Sequence, residues 1–186
     1  MELINVIRNR RSVRDYIDVA IDRETIERLI EAAILAPSSL NLQPWAFAVL
    51  LGREQIEGYA KRAKDWLIPR HGQPSDEPSV RRMLEDPGYV LFCHAPALVL
   101  VLAKSSDTQD AEACCIAAGN LMLAARNEGL GSCWIGLARP WLDFPATKAE
   151  LKLPKRYHVV APIVLGHPRA WPESKGRNPA EIHWLR

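Results

Sequence analysis

Seven apolar residues in unbroken succession, Ala97-Leu98-Val99-Leu100-Val101-Leu102-Ala103, stand between Pro96 and Lys104. Side chains alternate between the two faces of a strand, so a strand with no polar member must be covered above and below. The run therefore reads as the central strand of a sheet with helices on both faces. The wider apolar stretch from Ala95 to Ala103 falls well short of the roughly 18 residues that a membrane span needs, so its cover has to be protein. With 186 residues, 48% hydrophobic and 25% charged, the chain is expected to form a single domain over residues 1–186. Collagen, coiled coil and wholesale disorder are excluded by the same composition.

Other elements are expected around that strand. Leu3, Ile4 and Ile7 have helical spacing, and Ile26, Leu29, Ile30, Ala33 and Ile34 repeat it behind two candidate N-caps, Asp22 and Thr25. Pro37 stops the second helix, and Pro44 opens Trp45 to Leu51, which reads as a mostly buried strand. A helix is expected from Glu54 to Lys64, and a breaker-rich exposed loop from Pro69 to Pro78. The longest helix is expected over Asp107 to Asn127, with Gly129 as its stop. Ser132 to Leu137 and His158 to Leu165 read as strands flanking a short helix over Thr147 to Leu153. From Pro168 onward no periodic pattern is left, yet Trp171 and Trp184 need a surface, so the tail is expected to wrap over a neighbour.

The formal charge of +2 is too small to argue for nucleic acid or an anionic membrane, and any basic chemistry must be local. Glu2, Arg8, Arg10 and Arg11 interrupt the pattern of a secretory leader, and a cytoplasmic location is expected. Cys93, Cys114, Cys115 and Cys133 lack C-x-x-C spacing and read as reduced thiols.

Three segments carry candidate chemistry. Arg10-Arg11-Ser12-Val13-Arg14 gathers guanidinium groups and a hydroxyl at a helix exit, a donor density suited to phosphate oxygens. The same residues also read as a solvated basic cap on the helix dipole. Pro37-Ser38-Ser39-Leu40-Asn41-Leu42-Gln43-Pro44-Trp45 is a polar loop that can offer directional hydrogen bonds to a ligand edge or simply cap itself. Gly129-Leu130-Gly131-Ser132-Cys133-Trp134-Ile135-Gly136 lets backbone approach a flat ligand at a strand end. Lys175-Gly176-Arg177 alone reads as a surface patch.

In this order along the chain, Arg10 to Tyr16, Ala36 to Trp45, Gly119-Asn120-Leu121 running into Gly129 to Ser132, and Lys175 to Arg177 resemble the FMN-dependent nitroreductase family. The resemblance covers nearly the whole chain. It implies an α/β (α+β) three-layer α-β-α domain with a mixed, largely antiparallel sheet, and a C-terminal tail exchanged in a homodimer. By the same resemblance, Arg10, Arg11, Ser12, Lys175 and Arg177 would hold the FMN phosphate and ribityl chain, and Arg14 would face the pyrimidine edge of the ring. Pro37, Ser38, Ser39, Asn41 and Gln43 of the partner subunit would line the cofactor, and Trp134, Ile135 and Gly136 would lie near the hydride-accepting nitrogen. The implied reaction is a two-step hydride transfer from NAD(P)H through FMN to a small-molecule acceptor of nitroaromatic or quinone type.

This chain also departs from the resemblance. Ile135 stands where some members carry an acidic residue, Lys61 and Lys64 match a ring-contacting lysine poorly, and the excursion from Pro69 to Pro87 is short. Specialised chemistry on the same fold (reductive dehalogenation or flavin fragmentation), a non-catalytic flavin-binding sensor, and a thiol redox role for Cys114 and Cys115 remain as alternatives. No metal site is expected, because Cys93-His94 and the Cys114-Cys115 pair lack further ligands at useful spacing. His71 and His167 have no nucleophile at motif spacing.

Overall fold

The computed structural model describes residues 2–70 and 78–185. Four strands, β1 (Trp45–Leu51), β2 (Ala97–Ala103), β3 (Gly131–Trp134) and β4 (His158–Gly166), form one sheet in the order β1-β2-β4-β3. Every neighbouring pair is antiparallel, and the parallel component is an isolated bridge between Ser12 and Ser132. All seven residues of β2 are buried, as its composition requires of a strand paired on both sides.

The sheet separates two cores, which gives the three layers. Leu98, Leu100 and Leu102 point to one side, with Leu50, Ile56, Leu67, Phe92 and Trp141. Ala97, Val99, Val101 and Ala103 point to the other, with Leu29, Cys114, Ala118 and Leu121. The first side is closed by α3 (Arg53–Leu67) and the short α6 (Arg139–Leu142); the second by α2 (Arg23–Ala33) and α5 (Thr108–Asn127). The β2–β4 register shifts between Val101 and Leu102. The extra β4 residue this leaves is the reason that Val160 and its neighbour Ala161 both face the second core.

Helix ends follow local chemistry. Asp22 accepts from the backbone of Thr25 at the start of α2, and Asp107 from that of Gln109 at the start of α5. α1 (Leu3–Asn9) ends at Arg10, where the backbone turns extended. Helix α4 (Pro78–Glu85) begins at the last residue of the expected loop, α6 falls where no element was expected, and α7 (Pro145–Glu150) ends before the expected Leu153. Proline at the first turn of a helix costs nothing, because that N–H has no intrahelical acceptor in any case. β1 is an edge strand with Val49 and Leu51 exposed, less covered than its apolar run suggests. β3 stops at Trp134, and Gly136–Ala138 turns instead as a short 3-10 helix. Among the described residues no helix is long and apolar enough to cross a membrane. The loop around His71 lies outside the described residues.

Candidate functional site

Beyond α1 the chain runs along the free edge of β3. Val13 donates to the carbonyl of Ser132 at 3.0 Å, and Ser12 bridges Ser132. This approach depends on Gly131, where a Cβ would stand 2.8 Å from the Cβ of Val13. Three residues on, Tyr16 bridges Pro168, Ile17 donates to the carbonyl of His167 at 3.0 Å, and Arg169 meets Asp15 at 3.3 Å. The segment is thereby fastened at both ends, and the tail departs from beside it.

Three cationic side chains issue from this fastened segment. Among the described residues none of Arg10, Arg11 and Arg14 forms an ion pair with a carboxylate. Arg11 is tied to the exit of α1 by donating to the carbonyls of Arg8 and Arg10, at 2.7 and 2.9 Å. Arg10, Ser12 and Arg14 converge on Cys133: burial raises the thiol pKa, and these three residues oppose the rise. Arg14 also reaches the surroundings of Tyr89 and Cys93, which burial pushes up to about 12 and about 11. Arg14 itself is exposed, so its charge acts from the rim of these buried groups, where attraction falls between that of water and that of a dry interior.

The polar loop is braced within itself. The backbone N–H of Gln43 donates to Ser38 Oγ at 3.0 Å, and its side-chain amide donates to Asn41 Oδ1 at 3.2 Å. Leu40, Asn41 and Gln43 hold left-handed backbone, with φ of 49°, 54° and 49°. For leucine that conformation is costly, and it leaves Leu40 90% exposed. Pro37, Ser38 and Ser39 share a surface cleft with Gln109, Glu112, Ala113 and Ile116 from the N-terminal half of α5.

The structure thus brings the expected residues together in two groups. Arg10, Arg11, Ser12 and Arg14 gather beside β3, close to Arg126 in the last turn of α5. The Ser38 loop lies near Ala113, and 13 residues of helix at 1.5 Å each separate Ala113 from Arg126 by about 20 Å. In a single chain the two groups therefore lie toward opposite ends of α5. Ile135 is buried and donates its N–H to the carbonyl of Pro162 at 2.8 Å, between a partly buried Trp134 and an exposed Gly136. Lys175 and Arg177 are exposed, and Arg177 donates to the neighbouring carbonyl of Gly176. Lys64 donates to the carbonyls of Asp86 and Tyr89, which makes it a brace for the turn before β2.

Sequence reasoning missed Arg126 and Tyr89 at this site. Neither lies in a motif; each is brought in by tertiary packing. Trp171, expected against a neighbour, carries the guanidinium of Arg126 over its ring at 3.5 Å from the centroid. Among the described residues no group of acidic, cysteine and histidine side chains could hold a metal ion.

Comparison with known proteins agrees with this architecture. The family model described as Nitroreductase family matches residues 7–167. The chloronitrobenzene nitroreductase of Comamonas testosteroni is 32% identical, over 87% of this chain and 85% of that protein. The FMN reductase (NAD(P)H) of Bacillus subtilis strain 168 is 28% identical, over 97% of this chain and 71% of that protein. A crystal structure of a nitroreductase with bound FMN from Bacteroides fragilis NCTC 9343 superposes with a TM-score of 0.84 at 27% identity, covering 100% of both chains.

Proposed function

Because this chain belongs to the nitroreductase family, we propose that it is an FMN-dependent oxidoreductase, using NAD(P)H to reduce nitroaromatic or quinone-type acceptors. The observation that carries the reading is the set of guanidinium groups at Arg10, Arg11 and Arg14, fastened beside β3 with no carboxylate partner among the described residues. A solvated cap needs neither that fastening nor the close approach that a bare Gly131 permits. Relatives named for FMN reduction and nitroreduction, and the FMN-bound neighbour, support the same cofactor.

On this reading Arg10, Arg11 and the Ser12 hydroxyl hold the phosphate and ribityl end. Lys175 and Arg177 join them: Lys175 is four residues beyond Trp171, a reach of about 13 Å for extended chain. FMN, when bound, supplies reversible acceptance of two electrons, so no side chain need act as a nucleophile. Arg14 holds positive charge at the rim of the buried groups around Cys133, and a bound ring that covers it would gain negative charge more readily. Trp134, Ile135 and Gly136 present backbone at the end of β3, where a flat ligand can lie close. Pro37, Ser38, Ser39, Asn41 and Gln43 serve a second copy's site, a reading supported by their place at the other end of α5 from their own chain's basic cluster.

That division makes the functional unit a homodimer. Leu3, Ile4, Ile7, Leu35 and Ile116 expose apolar side chains around the two groups. The tail leaves Ile182, Trp184 and Leu185 exposed, and β1 offers an open edge beside Ile26 and Ile30. Tail exchange between copies covers both. The reading is tested by reconstituting the protein with FMN, removing free flavin and recording the visible spectrum before and after anaerobic NADPH or NADH. Flavin should be retained, bleach with the hydride donor and recover on adding a nitroaromatic or quinone. A colourless protein, or a flavin that neither donor bleaches, would overturn it.

A further inference from the structure

In the last turn of α5 the guanidinium of Arg126 lies flat over the indole of Trp171, 3.5 Å from the ring centroid. Among the described residues its Nε is buried without a hydrogen-bond partner, and so is the Nε of Arg11. Among the described residues neither arginine pairs with a carboxylate. Helix α1, whose exit holds Arg11, packs against α5, and the charge of Arg11, after burial, lowers the pKa of Arg126.

Two like charges brought together and partly desolvated, each with an unmet donor, are unfavourable in the chain alone. The arrangement becomes favourable when an anion with several acceptor oxygens lies between them, as a phosphate monoester does. The indole supports one face of the Arg126 guanidinium and fixes its plane, which directs its edge donors. The C-terminal end of α5 also welcomes a cation, so Arg126 is held there by the helix as well.

We infer that Arg126, seated on Trp171, is a phosphate-binding residue that works with Arg11 to hold the terminal phosphate of the cofactor. The inference rests on the flavin reading above. Trp171 is then a positioning residue. It orients Arg126 and fixes the root of the tail four residues before Lys175, so that the front and back basic groups meet one anion.

FMN and riboflavin separate this role from a structural one, because they differ only in the phosphate. Dissociation constants for both are measured by flavin fluorescence on the full-length protein, Arg126→Met and Arg126→Lys. Methionine keeps much of the stem volume, and riboflavin binding reports whether the variant is folded. The expected result is that Arg126→Met weakens FMN about tenfold or more and leaves riboflavin within about twofold, with Arg126→Lys in between. Equal weakening of both flavins, or no weakening of either, overturns the inference while the parent protein's preference for FMN upholds the flavin reading. A parent protein that binds neither flavin overturns that reading and this inference with it.

Discussion

The ring of Tyr16 lies so close over Gly166 that a Cβ on the glycine would stand 2.5 Å from the ring carbon Cδ1, with Pro96 Cδ 2.9 Å away on another side. Gly166 pairs with Gly131 across the β3–β4 ladder, and Gly131 meets Val13 in the same manner. The segment that carries the basic cluster is thus pressed onto two facing bare positions in the sheet.

Gly166→Ala and Gly131→Ala should each destabilise the protein by about 1–3 kcal/mol, because the buried neighbours cannot withdraw without opening the core. Gly58→Ala makes the contrast: its site on α3 is exposed with nothing within 4 Å, so alanine should stabilise by about 0.5–1 kcal/mol. Urea denaturation of the three variants checks both signs. Unchanged midpoints for Gly131→Ala and Gly166→Ala would contradict the close approach.

Arg10→Ala should cost about 1–3 kcal/mol of FMN affinity, the worth of a charged hydrogen bond to phosphate. Flavin content after gel filtration reads the loss. Arg14→Gln should leave FMN binding closer to the parent value but lower the reduction potential of the loaded protein by about 30 mV or more, since about 1.4 kcal/mol of attraction for a two-electron couple corresponds to that shift. Anaerobic titration against a reference dye measures it. An unchanged potential would remove Arg14 from its assigned role.

Alkaline conditions should destabilise the fold ahead of any effect on the arginines. Burial pushes Cys93 up to about 11 and Cys114 up to about 12, and raises Tyr16 above its ordinary value. The unfolded chain releases thiol protons from about pH 8.5, whereas the folded chain keeps them. Stability from these groups is therefore complete below that pH and declines as pH rises toward the folded values, by up to about 1.4 kcal/mol per pH unit for each group. Urea midpoints at pH 8 and pH 10 test this, and Cys114→Ala should make the decline shallower.

The thiol alternative predicts activity that depends on Cys114 and Cys115. Cys114 is buried, with its Sγ 3.4 Å from the carbonyl of Leu102, whereas Cys115 is exposed. Brief alkylation at pH 7.5 should modify Cys115 ahead of the other three, by peptide mass spectrometry. Cys115→Ser should retain NADPH or NADH oxidation; its loss at full flavin content would revive the thiol reading.

Ending the chain after Trp171 keeps the Arg126 stack but removes Lys175, Arg177 and the exposed Ile182, Trp184 and Leu185. Light scattering after gel filtration should then show a shift from dimer toward monomer, with weakened FMN binding. A truncated chain that stays dimeric and holds FMN as tightly as the parent would contradict tail exchange and the basic pair together.

The central strand could be read from sequence because a seven-residue apolar run has one stable environment, and the structure buries every member of it. The basic cluster and the polar loop were legible for a similar reason, since dense donors between a helix and a strand leave few purposes. α4 was hidden because Pro78 closes a breaker-rich stretch yet sits at the helix start, and α6 has four residues, too few to show a helical period. β1 has the composition of a covered strand, and only the strand order shows that it lies at an edge. Arg126 was illegible, because its partners come from residues 11 and 171, and nothing local distinguishes it from any arginine in a last helical turn.

Helix α5 sets a fixed span between the serine-bearing turn at one end and the guanidinium groups at the other. If two copies complement each other across that span, its length is a ruler for the assembly. Deleting one turn would shorten it by about 5.4 Å, and deleting a single residue would rotate one end by about 100° relative to the other. Lengthening or shortening the surface excursions leaves this gauge untouched, so chains of this type can diversify in their loops while α5 stays at a constant count of turns.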